Sequence, residues 1–173
     1  WHNSSVDQGG SVQPAWTEIN ACARCGHNNR MRALFDALTS LYSLPNDSSI
    51  YMAEQVTPSF AAIKSIYQNT VGSEFLGSEN TPGEHTFNEH LGRVIRHEDM
   101  TRLSFEDGSF DAVITQDVFE HIPNFANAFL ECRRVLKPDG LMLFTIPFFS
   151  GIYETEIRAM LRSDGSVTHL YPP

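Results

Sequence analysis

The chain has 173 residues, 41% of them hydrophobic and 19% charged, which suits one soluble domain with a sizeable core. No run of about 18 apolar residues occurs, so a membrane span is excluded. With 21 acidic and 12 basic residues the net charge is −9, which argues against nucleic acid as a partner.

The densest basic group, Arg133, Arg134 and Lys137, closes a predicted helix, where cations complement the negative end of its dipole. The N-terminus lacks the basic start and apolar stretch of a secretion signal, so a cytoplasmic location is expected.

Residues 1–28 read as an N-terminal arm, polar and loose to about residue 20, ahead of a domain over 29–173. The arm carries Cys22 and Cys25 in a C-x-x-C followed by Gly26 and His27. That spacing suits half of a zinc ribbon, but tetrahedral zinc takes four ligands and no second C-x-x-C exists. A metal would need His27, a distant histidine or another subunit. Cys22 and Cys25 are therefore read as reduced structural thiols, and no metal site is assigned. A thioredoxin-like redox motif would need a preceding strand to deliver it, and none is predicted.

A helix is predicted over 29–43, where Met31, Leu34, Phe35, Leu38, Leu41 and Tyr42 make one apolar stripe. Pro45, Asn46 and Asp47 then turn the chain into a short strand over 49–54. Thr57 and Pro58 suit the N-cap and first position of a helix running to about Tyr67. A second strand is expected over 70–76, a mobile loop from Gly77 to Glu89, and a third strand over 93–97 that Asp99 terminates.

Asp107-Gly108 supplies a turn before the apolar run 110–116, expected of a strand covered on both faces. Asp117 and Glu120 have capping-box spacing, and Asn124 can cap the next helix. Phe125, Ala128, Phe129, Cys132, Val135 and Leu136 form that helix's predicted buried stripe. Lys137-Pro138-Asp139-Gly140 reads as a tight turn into a strand over 141–147, followed by a helix near 153–163. Strands and helices alternating over short connections predict an α/β, doubly wound, mostly parallel sheet.

Three runs carry a resemblance: Phe105-Glu106-Asp107-Gly108-Ser109-Phe110-Asp111, then Asp117-Val118-Phe119-Glu120-His121-Ile122-Pro123, then Arg134-Val135-Leu136-Lys137-Pro138-Asp139-Gly140. Together they resemble a class I S-adenosylmethionine-dependent methyltransferase over about residues 49–150. The resemblance implies a Rossmann-like sheet that binds S-adenosylmethionine over the carboxyl ends of its first four strands, leaving S-adenosylhomocysteine as product.

On that basis the cofactor-binding positions are Glu54 and Gln55 after the first strand, Glu74 and Phe75 after the second, and Asp99 and Met100 after the third. Thr115, Gln116 and Asp117 follow at the fourth. Glu74 would accept from the ribose hydroxyls, and Asp99 would take the adenine amino group. The same acids also read as solvated strand ends, and Asp117 as an N-cap. His121 matches a structural or cofactor-side position, and no catalytic residue is assigned. A small-molecule acceptor would bind near Phe148, Phe149 and Tyr153, aromatics that read equally as core or interface.

Two departures stand out. The family follows its first strand with a glycine-rich turn, whereas Gln55-Val56-Thr57-Pro58-Ser59 contains no glycine. The family's last strands have no counterpart after Pro147, so the sheet is expected to end in an open edge. Such an edge invites self-association, and a dimer is expected. The competing reading is a methyltransferase-like binding or assembly module without catalysis. A nicotinamide-dependent oxidoreductase would need the same missing glycines.

Overall fold

Short apolar runs separated by amphipathic helices build a parallel sheet covered on both faces. The computed structural model describes residues 4–6, 12–14, 22–146, 154, 157–164 and 166–171. Within the arm, β1 (Ser4–Val6) and β2 (Val12–Pro14) pair antiparallel, so the stretch expected to be loose holds a hairpin.

Helix α1 (Asn29–Asp36) starts at Asn28, whose side chain accepts from the Met31 amide, and continues as a π-turn over Ala37–Leu41. Strand β3 (Ile50–Met52) leads to α2 (Pro58–Ile66), where Thr57 caps the Phe60 amide and Pro58 takes the first turn, as predicted. Strand β4 (Thr70–Gly72) follows.

The segment expected to be a mobile loop contains β5 (His85–Asn88), which pairs antiparallel with β6 (Arg93–Arg96). Three of its four residues are polar and the fourth, Phe87, is exposed, so no apolar period marks it. Strand β7 (Phe110–Gln116) falls where the apolar run placed it, after a turn in which Gly108 takes φ +63°. Helix α3 (Phe125–Val135) leads into β8 (Leu136–Thr145). Asn124 caps α3, but Phe125 of the predicted stripe is exposed.

The four-stranded parallel sheet runs β4-β3-β7-β8. A parallel bridge between Glu74 and His97 sets the end of β6 beside β4. The order is thus β6-β4-β3-β7-β8, the strand order of a doubly wound nucleotide-binding sheet. Alternation within β3 and β7 sorts the core. Tyr51 and Val113 pack with Ala128, Cys132 and Val135 of α3 on one face. Ile50, Met52, Ala112 and Ile114 pack with Leu34, Leu38 and Ile63 on the other.

The tight turn predicted at residues 137–140 is instead an outward bulge within β8, since Phe110 pairs with Leu136 and Ala112 with Leu141. The basic residues there hold the fold together. Arg134 donates to the carbonyls of Leu103 and Phe105 and to Glu131 and Asp107, tying the crossing loop to α3. Lys137 meets Asp111 at 2.8 Å. Charge-assisted bonds of this kind are worth about 1.5–3 kcal/mol each when buried, and less toward solvent.

Past residue 156 the described chain is extended rather than helical. Strands β9 (Ala159–Leu161) and β10 (Val167–His169) form a separate antiparallel hairpin. Among the described residues, no strand pairs with the outer edge of β8. Phe144 and Ile146 stay nearly half-exposed at that end of the sheet.

Candidate functional site

Parallel strands present their carboxyl ends on one rim, and four acids gather there. Glu54, two residues past β3, accepts from the Gln116 amide at the end of β7, 3.1 Å away. Burial pushes the Glu54 carboxyl up to about 8, the charges of Glu74, Asp117 and Glu120 add to this, and the Gln116 amide opposes it. Glu54 therefore holds a proton at neutral pH.

The missing glycine turn is replaced by a side-chain fastening. One oxygen of Glu74 accepts from the backbone amides of Gln55 at 2.7 Å and Val56 at 2.9 Å. The Gln55 side chain then reaches β6, donating to the Val94 carbonyl at 3.0 Å and accepting from the Arg96 amide at 2.9 Å. It acts as an extra peptide unit beside the edge of β6. Without this arrangement the loop's amides would lack acceptors.

Asp117 adopts a left-handed backbone with φ +53°, unusual for a residue with a side chain. It does not cap the short 3-10 turn Phe119–His121, which has no side-chain cap. Its carboxylate accepts instead from Arg30 of α1 at 2.6 Å and from the Thr145 hydroxyl at 3.3 Å. Thr115 and Gln116 are buried, and the Thr115 hydroxyl and Gln116 side-chain carbonyl have no hydrogen-bond partner among the described residues. Such orphaned acceptors are costly unless water or a ligand supplies a donor.

Asp99 lies farther along the rim, past the bridge from Glu74 to His97, with its carboxylate accepting from the amide and hydroxyl of Thr101. The Met100 side chain points into the core, where the Tyr51 hydroxyl meets its sulfur at 3.5 Å. Phe75 is exposed, with its ring 5.6 Å from that of His97. His121 is exposed, with Glu120 3.9 Å away. Phe148, Phe149 and Tyr153 lie outside the described residues.

Contacts therefore join Glu54, Gln55, Glu74, Gln116 and Asp117, and place Asp99 nearby through the sheet. Arg30 and Thr145 join this group with no signal in the sequence, Arg30 lying 87 positions from Asp117. Hollows elsewhere, one lined by Leu76, Asn80, Thr86 and Ile95 and another by Met160, Arg162 and Asp164, include none of these rim residues. Among the described residues, no three His, Cys, Asp or Glu side chains are grouped to hold a metal.

A family model described as a methyltransferase domain matches residues 57–144, half of the chain. The chain belongs to the class I S-adenosylmethionine-dependent methyltransferase family. It is 35% identical over 73 residues to a malonyl-[acyl-carrier protein] O-methyltransferase of Geobacter sulfurreducens, covering 42% of this chain and 27% of that protein. It is also 35% identical over 85 residues to a demethylmenaquinone methyltransferase of Staphylococcus haemolyticus, covering 46% and 33%.

The methyltransferase-family chain thus spans about a quarter to a third of these relatives' length. A crystal structure of a candidate sarcosine dimethylglycine methyltransferase from Galdieria sulphuraria superposes with TM-score 0.51 at 17% identity, covering 67% of this chain and 46% of that one. That likeness shows the fold.

Proposed function

We propose that this chain binds S-adenosylmethionine on the strand-end rim and serves methyl transfer to a small-molecule acceptor. The observation that carries this reading is the meeting of Glu54, Glu74, Gln116 and Asp117 on one rim of the family's sheet, with buried acceptors left unpaired at Thr115 and Gln116. In this reading Glu74 and Asp99 hold the adenosine end, with Gln55, Phe75 and the backbone of Met100 flanking it. Glu54, Thr115, Gln116 and Asp117 hold the methionine end. Bound there, S-adenosylmethionine supplies a methyl group already activated by its sulfonium. The chain's own residues then need to orient the ligand and exclude water, not to act as strong acids or bases.

Relatives acting on a malonyl-carrier protein and on demethylmenaquinone support a modest-sized acceptor. A domain over 29–173 preceded by the arm, a cytoplasmic location and a dimer through the open edge of β8 complete the proposal.

One observation favours a second reading, a binding module without catalysis. The Glu74 oxygen that would face a ribose is engaged by Gln55 and Val56. Calorimetric titration with S-adenosylhomocysteine separates the two. A rise in melting temperature at saturating ligand supports the cofactor site, and no shift leaves the module reading.

A further inference from the structure

The parallel pairing of the chain past β4 with the chain past β6 is cut short just after Glu74. The Glu74 amide donates to the Arg96 carbonyl at 2.9 Å, and the Glu98 amide donates to the Glu74 carbonyl at 3.2 Å. Evenly spaced parallel bonds would next join the Leu76 amide to the Glu98 carbonyl. The Leu76 amide instead donates to Nδ1 of His97 at 3.0 Å. The Leu76 carbonyl is also taken by a side chain, accepting from Nδ2 of Asn80 at 2.8 Å. Side chains thus hold both backbone groups of Leu76, and the chain leaves the sheet at this point.

His97 is itself firmly placed. It is buried, its amide donates to the Glu84 carbonyl at 2.7 Å, and its carbonyl accepts from the Gly83 amide at 2.8 Å. A backbone amide can only donate, so Nδ1 carries the lone pair and the ring proton sits on Nε2. Bridge partners in a parallel ladder project their side chains to the same face, which puts the imidazole on the Glu74 side of the sheet. The ring also lies 5.6 Å from that of exposed Phe75. One imidazole therefore adjoins Glu74, Phe75 and Leu76. Filling core space would not require a lone pair at Nδ1; holding the Leu76 amide does.

We propose that His97 is a positioning residue for adenosine: acting through the Leu76 amide, its Nδ1 holds Phe75 and the Glu74 carboxylate where a base and a ribose would meet them. This rests on the reading of the rim as an S-adenosylmethionine site. Without the Nδ1 acceptor the Leu76 amide loses its partner, and the segment after Glu74 spreads over several arrangements. Only the fraction in the competent arrangement binds, so apparent affinity falls by that fraction.

Calorimetric titration of the full chain and three variants tests this, with S-adenosylhomocysteine and with methylthioadenosine, which lacks the amino-acid part. His97→Asn keeps an acceptor at the Nδ1 position, His97→Gln moves it to the Nε2 position, and His97→Phe removes it while keeping a ring. His97→Asn should stay within about threefold of the parent for both compounds, whereas His97→Gln and His97→Phe should bind both about five- to thirtyfold more weakly. The factor should be the same for the two compounds, because the lesion lies at the end they share. Hydrogen exchange of the Leu76 amide should quicken in the Gln and Phe variants and not in His97→Asn. Where His97→Phe fails to fold, the Asn and Gln variants carry the same contrast.

Equal affinities in the parent and all variants overturn the proposal, as does a loss in His97→Asn as large as in His97→Gln. So does NMR of the ring nitrogens that finds the proton on Nδ1. An unmodified protein that binds neither compound overturns the cofactor reading and this inference with it.

Discussion

The two ends of the rim solve the same problem in opposite ways. At the end proposed to hold the adenosine, the acids already have donors from the chain: Glu74 takes the Gln55 and Val56 amides, and Asp99 takes Thr101. At the end proposed for the methionine part, two buried side-chain acceptors have no partner among the described residues. Glu54 keeps a proton, and the buried Thr115 and Gln116 acceptors stand unpaired among the described residues. A ligand must exchange hydrogen bonds at the first end and supply them at the second. On the proposed reading, Glu74 trades its two amide donors for the ribose hydroxyls, while the second end gains donors for buried acceptors.

The contrast can be broken most forcefully at Glu74. Glu74→Ala should weaken S-adenosylhomocysteine binding by about 1.5–3 kcal/mol, measured by calorimetry, because the amides of Gln55 and Val56 lose their acceptor and the ribose its partner. An unchanged dissociation constant would remove Glu74 from the site.

Next in size is Glu54→Gln. The Glu54 carboxyl titrates near 4.5 when unfolded and about 8 when folded. Between these values the folded state binds the extra proton, so this group's contribution to stability is full below pH 4.5 and is lost as pH rises through 8. The glutamine variant should match the parent in acid and exceed it above pH 8 by about 2 kcal/mol, after allowance for the screening of a partly exposed group. Urea melts across that range check the sign; a parent that gains stability relative to the variant with rising pH refutes the buried proton.

Gln55→Ala tests the fastening at the adenosine end. Losing the bonds to Val94 and Arg96 should cost about 1 kcal/mol of stability, while the pH profile set by Glu54 stays in place. A displaced profile would mean the two ends are not separable. The smallest effect belongs to Arg30→Gln. Its pair with Asp117 is partly exposed, so stability should fall by about 0.5–1 kcal/mol. Left uncompensated, the Asp117 charge should raise the Glu54 titration midpoint, observable by carboxyl NMR; a fall contradicts the acidic cluster.

Legibility in the sequence followed the range of the interactions. Strand β7 was read to the residue because burial on both faces leaves a continuous apolar run. The Thr57-Pro58 start of α2 and the Asn124 cap of α3 were read because caps act within three residues. Strand β5 was missed because its pairing with β6 is made by backbone groups and its side chains, Phe87 among them, are mostly exposed. The described part of the predicted helix near 153–163 is strand for the same reason: β9 has exposed side chains and its pairing is made with β10.

Asp117 shows the limit most plainly. Its spacing to Glu120 is that of a capping box, yet a left-handed backbone turns its carboxylate to Arg30 and Thr145. A motif reports what a side chain can do locally, and a distant cation at 2.6 Å outcompetes a local amide.

By itself the chain determined its alternating elements, its family through three spaced motifs, and the acids at the strand ends. These are properties of local order and of periodic burial. Only the tertiary structure decided that Glu74 fastens the loop lacking glycine, that Glu54 holds a proton, and that Arg30 joins the rim. Each depends on desolvation or on contact between residues many positions apart, and neither is encoded in any short stretch of sequence.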